Sequence, residues 1–506
     1  MSLHAIAARL EGDNYQHRFF WYQASLLLVR GSQVERVVLE CDAASGMDDV
    51  AVFYAPPGIV AGASPLVEAD YYQLKYHVDQ RDAYATDRLV ATGPGSKRSL
   101  LARIADAYKA VKAKHKGYRL TLLSNWDWAK DDPLRAQIHD NDGALRDALL
   151  AATGRTELAK IRTQWLTHVG MSETEFDDFT RRLRFVPNYL SRAGLAVALS
   201  DRLATAGLIP LDRTVSSSPY DDLAQKLVMN GTNDFTPDTF KELCIRERLL
   251  ADAPPPRKPR LGVRSFLRCA ESMEAETDAF VCVAKDFDGR APRAADSWTA
   301  AVRPAVTGFL AGNMERLRRE PHELLLDCHQ TLAFLAGYEL DPKGGVTAFP
   351  VQKGPEGAVV WKPGAGAPPA DAGWTTQQDD GDPGAEDIVL ALSVTRDVAG
   401  DVAAFHTASP LPARAILRAR PAGGIGQRSV QGADHAVALA DALQNVIFDL
   451  RKSLPAKGRL HVFAAAPNAL LFFFGQRARR LGAITLYEFD FEGTRGGSYT
   501  KSLELP

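Results

Sequence analysis

The chain has 506 residues, enough for about two to four domains rather than one core. Hydrophobic residues make up 46% and charged residues 24%, a globular balance that argues against a disordered or fibrous chain. The formal net charge of -2 excludes a global basic field, so any nucleic-acid contact must come from a local patch.

The five cysteines (Cys41, Cys244, Cys269, Cys282, Cys328) are odd in number, scattered, and form no CxxC pair. They point to buried thiols in a reducing compartment, not to a disulfide framework or a zinc knuckle. The start shows no basic segment followed by an apolar one, and the longest strongly apolar run, Ala469–Phe474, is too short to span a bilayer. The expected location is the cytoplasm, with no membrane partner.

In chain order, Asn14 to Arg30 reads as a helix with a thick apolar face (Phe19, Phe20, Ala24, Leu27, Leu28). Val34–Glu40, Val50–Tyr54, Tyr71–His77 and Tyr118–Ser124 read as strands. A helix over Ser99–Lys114 lies between the last two, with Gly117 as its C-cap. From about Gly154 to Leu250 the pattern is helical. Ala251–Arg260 (ADAPPPRKPR) reads as a stiff, solvated hinge. The expected divisions are a first α/β domain over 1–153, a helical connector over 154–250, the hinge over 251–260 and a second region over 261–506.

Beyond the hinge, strands and helices alternate: strand Ala279–Ala284, helix Ser297–Arg319, strand Glu323–Asp327, helix Gln330–Tyr338. After a Gly-, Pro- and Asp-rich surface loop (Gly364–Glu386) come strand Ile388–Thr395, helix His435–Leu454, strand Leu460–Ala465, helix Asn468–Leu481 and strand Ile484–Phe491. Such alternation implies βαβ units and a parallel sheet. HELLLDCHQTLAFLAGYEL and LHVFAAAPNALLFFFGQRA echo each other, matching Gly337 with Gly475 and His329 with Pro467. The echo suggests two Rossmann-like halves facing each other.

The richest chemistry lies between Glu40 and His77. Period-two alternation puts Tyr71, Gln73, Lys75 and His77 on one strand face, and Tyr72, Leu74 and Tyr76 on the other. Asp49, beside Asp48, opens the preceding strand. If the two strands pair, Asp49, Gln73 and Lys75 converge, with Glu40 as a second carboxylate from a neighbouring strand end. A hard divalent cation, Mg²⁺ or Mn²⁺, wants such oxygen donors: Asp49, the Gln73 amide oxygen and Glu40. Lys75 can orient a water or stabilise developing charge. Taken alone, Asp48–Asp49 reads equally as a turn and Lys75 as a solvated strand residue. Lys97, Arg98, Arg103, Lys109, Lys112, Lys114, Lys116 and Arg119 face one acid, Asp106, and follow a GPG turn. Next to such a site, contact with a DNA backbone is the favoured reading over a merely solvated face.

The D…QxK segment, with GDNYQHRFFWYQ (residues 12–23) before it, resembles the PD-(D/E)xK restriction-endonuclease-like superfamily, and most of all the nuclease domains of bacterial antiphage effectors. That resemblance carries the metal-binding aspartate onto Asp49, the variant acidic position onto Gln73 and the lysine onto Lys75. Gln73 departs from the Glu of many relatives and shifts metal binding toward Glu40 or Asp48. The last ~245 residues resemble a SAVED domain, through FDGR (287–290) with Trp298, HELLLDCH (322–329), LALSVTRDVAGDVAAF (390–405), LHVFAAAPNALLFFFG (460–475), ITLYEFDF (484–491) and YTKSLELP (499–506). The resemblance implies two fused CARF-like, Rossmann-type halves that bind a cyclic oligonucleotide, often a cyclic trinucleotide. The chain as a whole is similar to CBASS endonuclease effectors. The expectation is a restriction-endonuclease-like α/β nuclease joined by a helical connector to a SAVED domain. It would cut double-stranded DNA when a cyclic oligonucleotide, made by a partner nucleotidyltransferase, drives homo-oligomerisation.

Doubly wound sheets bind ligands beyond the carboxyl ends of their strands. On that ground the ligand candidates are His329, Ser393, Thr395, Arg396 and Asn468, with Gln352, Lys353 and Trp361 further on, Trp361 through base stacking. Gly423–Gly426 (GGIG) reads as a plain turn as readily as a phosphate loop. The competing reading keeps the sensor but gives it an N-terminal domain that grips DNA without cutting, or cuts RNA.

Overall fold

The structure is a computed structural model. It describes residues 3–59, 66–77, 83–92, 97–211, 218–252, 259–268, 273–354, 357–364, 372–454, 457–491 and 497–506. The chain divides into two compact units. One comprises Met1–Arg257, Leu267–Glu276 and Lys353–Ala358; the other comprises Lys258–Phe266, Thr277–Gln352 and Val359–Pro506.

The first unit is built on a six-stranded mixed sheet. Its strands are β1 (Val34–Leu39), β2 (Val50–Tyr54), β3 (Ala69–Lys75), β4 (Tyr118–Ser124), β5 (Leu183–Val186) and β6 (Asp234–Phe235), in the order β5-β4-β3-β2-β1-β6. β1, β2 and β3 pair antiparallel, while β3, β4 and β5 run parallel. Helix α1 (Leu3–Ala24) covers one face, where Phe19, Phe20 and Trp21 pack in a core with Tyr72 and Leu74. The expected helix over 14–30 thus begins earlier and ends in a tight 3₁₀ turn, Ser25–Leu28. Helix α2 (Leu100–Val111) lies in the core of the opposite face with Tyr71, Leu120 and Leu122. Ser99 starts α2 by accepting from the Ala102 amide (3.1 Å). Gly117 is not its C-cap. A Cβ there would lie 1.8 Å from the Leu66 carbonyl oxygen, so the residue serves a close backbone approach.

Residues 154–250, read above as a connector, supply both edge strands of this sheet, β5 and β6, and helices to both of its cores. The segment is therefore integral to the first unit. Of the Pro-rich hinge, residues 253–258 lie outside the described residues.

The second unit, apart from the 353–358 segment assigned to the first, holds two larger sheets and one two-stranded hairpin among the described residues. Its strands continue as β7 (Arg260–Arg264), β8 (Ala279–Cys282), a short hairpin of β9 (Phe287–Asp288) and β10 (Ala291–Pro292), β11 (His322–Asp327), β12 (Ala348–Gly354), β13 (Gly357–Val360), β14 (Trp374–Asp380), β15 (Asp387–Ser393), β16 (Ala413–Pro421), β17 (Leu460–Ala465), β18 (Ile484–Phe489) and β19 (Tyr499–Leu505). The sheet orders are β13-β12-β11-β7-β8 and β14-β16-β15-β17-β18-β19. In each, four neighbouring strands run parallel: β12-β11-β7-β8 and β16-β15-β17-β18. The helix expected over Ser297–Arg319 is broken into a wide π-type turn, Trp298–Val302, and two helices that part at Asn313. The surface loop expected over 364–386 contains β14, an exposed strand paired antiparallel with β16. Residues 365–371 of that loop lie outside the described residues.

The internal echo becomes a pseudo-two-fold arrangement. β11 leads into helix α3 (Gln330–Glu339), and β17 leads into helix α4 (Asn468–Ala478). The two helices cross at the matched glycines. A Cβ on Gly337 would lie 1.9 Å from the Phe472 carbonyl oxygen, and one on Gly475 would lie 2.2 Å from that of Phe334. Only hydrogen allows this approach. Phe334 and Phe474 seal it edge to face at 5.4 Å.

Candidate active site

Antiparallel pairing of β2 with β3 sets Val50 opposite Tyr72, which brings Asp49, one residue earlier, beside Gln73 and Leu74. The Asp49 carboxylate accepts from the Leu74 amide (2.6 Å) and from the Gln73 side-chain amide (2.5 Å). The alternation places Tyr71 in the α2-side core and Tyr72 and Leu74 in the α1-side core, as the pattern requires. Burial pushes the Asp49 carboxyl up to about 6, against the pull of Lys75 and the Leu74 amide. Burial also holds the Lys75 amine below its ordinary value, with Asp49 opposing and Arg103 adding to the depression. An acid raised and a base lowered side by side are what a reaction centre uses.

Glu40 follows β1 with φ of 53°, a left-handed conformation unusual for a residue with a side chain. Its amide donates to the Asp49 carbonyl (3.1 Å), and the Asn233 side chain donates to the Leu39 and Glu40 carbonyls (2.7 and 3.2 Å). Gln16 of α1 donates to the Glu40 carboxylate (2.6 Å) and to the Asp49 carbonyl (3.4 Å). Burial raises the Glu40 carboxyl, eased by the Gln16 hydrogen bond. Among the described residues no group of three or more His, Cys, Asp or Glu side chains could hold a metal ion. The donors expected from the sequence are two carboxylates, Asp49 and Glu40, and the Gln73 amide. That suits an octahedral cation keeping several waters and a substrate oxygen better than an all-protein cage.

Not every residue on the lysine face joins the site. His77 stacks on Trp126 (centroids 3.5 Å apart) and shares a hydrogen bond with the Tyr84 hydroxyl (3.1 Å). In the basic stretch, Arg119 is a core residue rather than a DNA contact: it pairs with buried Asp70, which the Tyr54 and Tyr72 hydroxyls also reach. Arg98 pairs with Asp106, and Lys112 with Glu175. The GPG turn lies outside the described residues.

In the second unit, the polar residues at the strand ends are largely engaged with one another. His329 is a correction: it is buried, with one ring nitrogen at Ser265 Oγ (2.7 Å) and the other at the Arg290 carbonyl (3.0 Å), and it stacks on Phe287. Burial drives its pKa down to about 3, so it is a neutral core residue. Trp361 is also a core residue, 7% exposed, and offers no face for stacking. Ser393 is turned inward, donating to Asp397 (3.2 Å) and accepting from the Val398 amide (3.0 Å). Asn468 donates to the Leu326 and Cys328 carbonyls (3.0 and 2.9 Å), and Gln330 donates to the Ala466 carbonyl (3.0 Å). Gln330 is the symmetry mate of Asn468. The exchange repeats one position on: Gln352 accepts from the Ala469 amide (3.3 Å), and Glu488 accepts from the Thr331 amide (2.6 Å).

Thr395 and Arg396 stay partly exposed at the end of β15, and Lys353 is half-buried near the end of β12. Arg396 lies 4.2 Å over the Phe489 ring and pairs with Asp401 through Nη1, while its Nε and Nη2 are shielded with no hydrogen-bond partner among the described residues. The GGIG segment is a turn, with Gly424 at φ 95° bonded back to Pro421 (2.9 Å).

Residues 303–505 match the SAVED family, described as the SMODS-associated and fused to various effectors sensor domain. CD-NTase-associated protein 4 of Enterobacter hormaechei subsp. hoffmannii (strain UCI 50) is 30% identical over 510 residues, covering 99% of each chain. The chain belongs to the CD-NTase-associated protein 4 family. It is thereby a CBASS antiviral effector with a C-terminal SAVED sensor domain. Solved structures similar to it are those of the Acinetobacter baumannii Cap4 SAVED/CARF-domain containing receptor with the cyclic trinucleotide 2′3′3′-cAAA (TM-score 0.38, 13% identity, 97% of this chain and 98% of that one) and with 3′3′3′-cAAA (0.37, 14%, 97% and 98%). The Moraxella osloensis Cap4 receptor aligns with a TM-score of 0.33 at 13% identity, over 98% of this chain and 99% of that one.

In this member of the CD-NTase-associated protein 4 family, sequence reasoning missed Gln16 and Asn233, which hold Glu40 from 24 residues before it and 193 after. Gln16 lies within the quoted helix segment, but nothing in its spacing announces a partner on β1. Among the described residues no helix is long and apolar enough to cross a membrane. Of the described cysteines, Cys41, Cys244 and Cys328 are buried.

Proposed function

We propose that this chain is a metal-dependent DNA endonuclease, switched on when its SAVED domain binds a cyclic oligonucleotide. The observation that carries the nuclease reading is the convergence of Asp49, Gln73 and Lys75 on paired strands, with the carboxyl raised and the amine lowered. Asp49, Glu40 and the Gln73 amide oxygen would hold Mg²⁺ or Mn²⁺, since the Gln73 amide nitrogen already faces Asp49. A bound divalent cation would lower the pKa of a water and offset charge on the phosphate. Lys75 orients the attacking water and stabilises the added negative charge at phosphorus. Hydrolysis adds one water across a P–O bond: the hydroxyl goes to phosphorus and the proton to the departing oxygen. This supports a restriction-endonuclease-like assignment for the first unit. The exposed cations Lys97, Lys109, Lys114 and Lys116 would contact duplex phosphates without reading sequence.

For the sensor, Thr395 and Arg396 are the strand-end residues left with groups to offer a ligand. Asn468 serves mainly to join the two halves. The A. baumannii receptor was solved with cyclic trinucleotides, which makes a cyclic trinucleotide the first ligand to try. The activating ligand would come from a partner nucleotidyltransferase and promote self-association.

The test is plasmid degradation in Mg²⁺, with and without a panel of cyclic di- and trinucleotides that includes 2′3′3′-cAAA and 3′3′3′-cAAA. Cutting with one ligand only is the expected result. Constitutive cutting would remove the gate. Ligand binding without any cutting would favour a sensor whose N-terminal domain grips DNA or acts on RNA.

A further inference from the structure

Arg103, on the second turn of α2, differs from every other arginine in its basic stretch. Arg98 and Arg119 each have a carboxylate partner, whereas the side chain of Arg103 forms no ion pair and no hydrogen bond among the described residues, and its Nε is shielded from solvent. It sits on the α2 side of the sheet, the side on which Asp49, Gln73 and Lys75 converge, close enough for its charge to act on Lys75. The loop that delivers Asp48 and Asp49 packs directly on it. Gly46, at φ +93°, has its missing Cβ 2.9 Å from the Arg103 Cβ and 3.0 Å from the Arg103 carbonyl oxygen. Helix and loop are therefore held in register at this residue.

A second cation beside Lys75, its Nε shielded and with no side-chain partner among the described residues, is unfavourable without a counter-anion. A cation bound by Asp49 and Glu40 would make the surroundings more positive still. The arrangement becomes favourable when an anion with two adjacent oxygens enters. A guanidinium fork fits the two non-bridging oxygens of a phosphodiester, which an ammonium group matches only as a point charge. We propose that Arg103 binds the scissile phosphodiester of the nucleic-acid substrate, its fork on the non-bridging oxygens while Lys75 addresses the water. This assignment rests on the nuclease reading above.

The experiment compares wild type, Arg103→Ala, Arg103→Lys and Lys75→Ala in the full-length chain. Each is assayed on supercoiled plasmid in Mg²⁺ with the same cyclic di- and trinucleotide panel, and each is checked for an unchanged melting temperature. Arg103→Ala is expected to cut about 100-fold more slowly at saturating DNA. Arg103→Lys is expected to recover part of that rate, and millimolar guanidinium ion to restore part of the rate of Arg103→Ala, which a purely structural role would not allow. If Arg103→Ala proves unstable, Arg103→Lys decides: a folded variant at the full rate overturns the fork contact. Cutting by Arg103→Ala within about 3-fold of wild type, with Lys75→Ala inactive, overturns the role of Arg103 and leaves the nuclease. No cutting by wild type with any ligand, or full cutting by Lys75→Ala, overturns the nuclease reading and this assignment with it.

Discussion

The strand ends of the two units carry similar residue types and treat them oppositely. Beside β2 and β3, polar groups converge with capacity left over: a carboxyl raised toward neutrality, a depressed amine and an arginine with no carboxylate partner among the described residues. At the ends of β11, β15 and β17, they largely satisfy one another, as His329, Ser393, Gln330, Asn468, Gln352 and Glu488 do. Position at a strand end therefore does not distinguish a ligand contact from a structural clasp. What distinguishes them is whether the donors and acceptors are already engaged.

Four substitutions and one cation-binding titration would break or sharpen that contrast. The largest effect is expected from Lys75→Ala, which should reduce plasmid cutting by about 10³-fold while leaving cyclic-oligonucleotide binding by calorimetry unchanged. Next is Gly337→Ala, which forces a methyl group onto the Phe472 carbonyl and should destabilise the sensor by about 3 kcal/mol or more in urea titrations. A neutral outcome would mean that the helices can slide apart freely.

Asp49→Asn comes third. The raised pKa means that the folded chain holds the Asp49 proton more tightly than the unfolded one. The stabilising contribution is present below the unfolded value of 3.8 and is lost as pH rises through about 6. The metal-free variant should therefore exceed wild type by about 1–2 kcal/mol at pH 8 and match it near pH 4, in urea titrations with EDTA. The reverse order would mean that attraction between Asp49 and Lys75 outweighs burial. Divalent-cation binding to wild type should likewise weaken below about pH 6, because proton and cation compete for one carboxylate. The smallest effect is expected from Glu488→Gln, which copies the Gln352 side of the pseudo-two-fold. The amide oxygen can still accept from Thr331, so the change in unfolding free energy should stay below about 1 kcal/mol.

The regular parts of the fold were legible where a pattern ran long enough. Val50–Tyr54, Tyr118–Ser124 and Leu460–Ala465 are strands over the residues that alternation or an apolar run marks out. The edge strands β5 and β6, four and two residues long, lie in helical surroundings and have no periodicity of their own. β14 is mostly polar and exposed because it is an edge, so its composition reads as loop. The convergence of Asp49, Gln73 and Lys75 follows from local spacing, two strands joined by one connection. Arg119 could not be told from the cations around it, since its partner Asp70 lies 49 residues away on a strand face the basic pattern does not report. His329 and Trp361 occupy the strand-end region that ligand rules favour, but depth of burial is set by packing from distant segments.

The crossed helices of the sensor have a consequence for how such domains can be recombined. Each half supplies the acceptor for the other's helix amide and the carbonyl for the other's side-chain donor, and each leaves out a side chain where its neighbour's backbone passes. A half transplanted from a relative would arrive with its own complement and meet the wrong one. Chimeras meant to change ligand preference should exchange the sensor whole, and natural drift in one half should be answered by compensating change in the other.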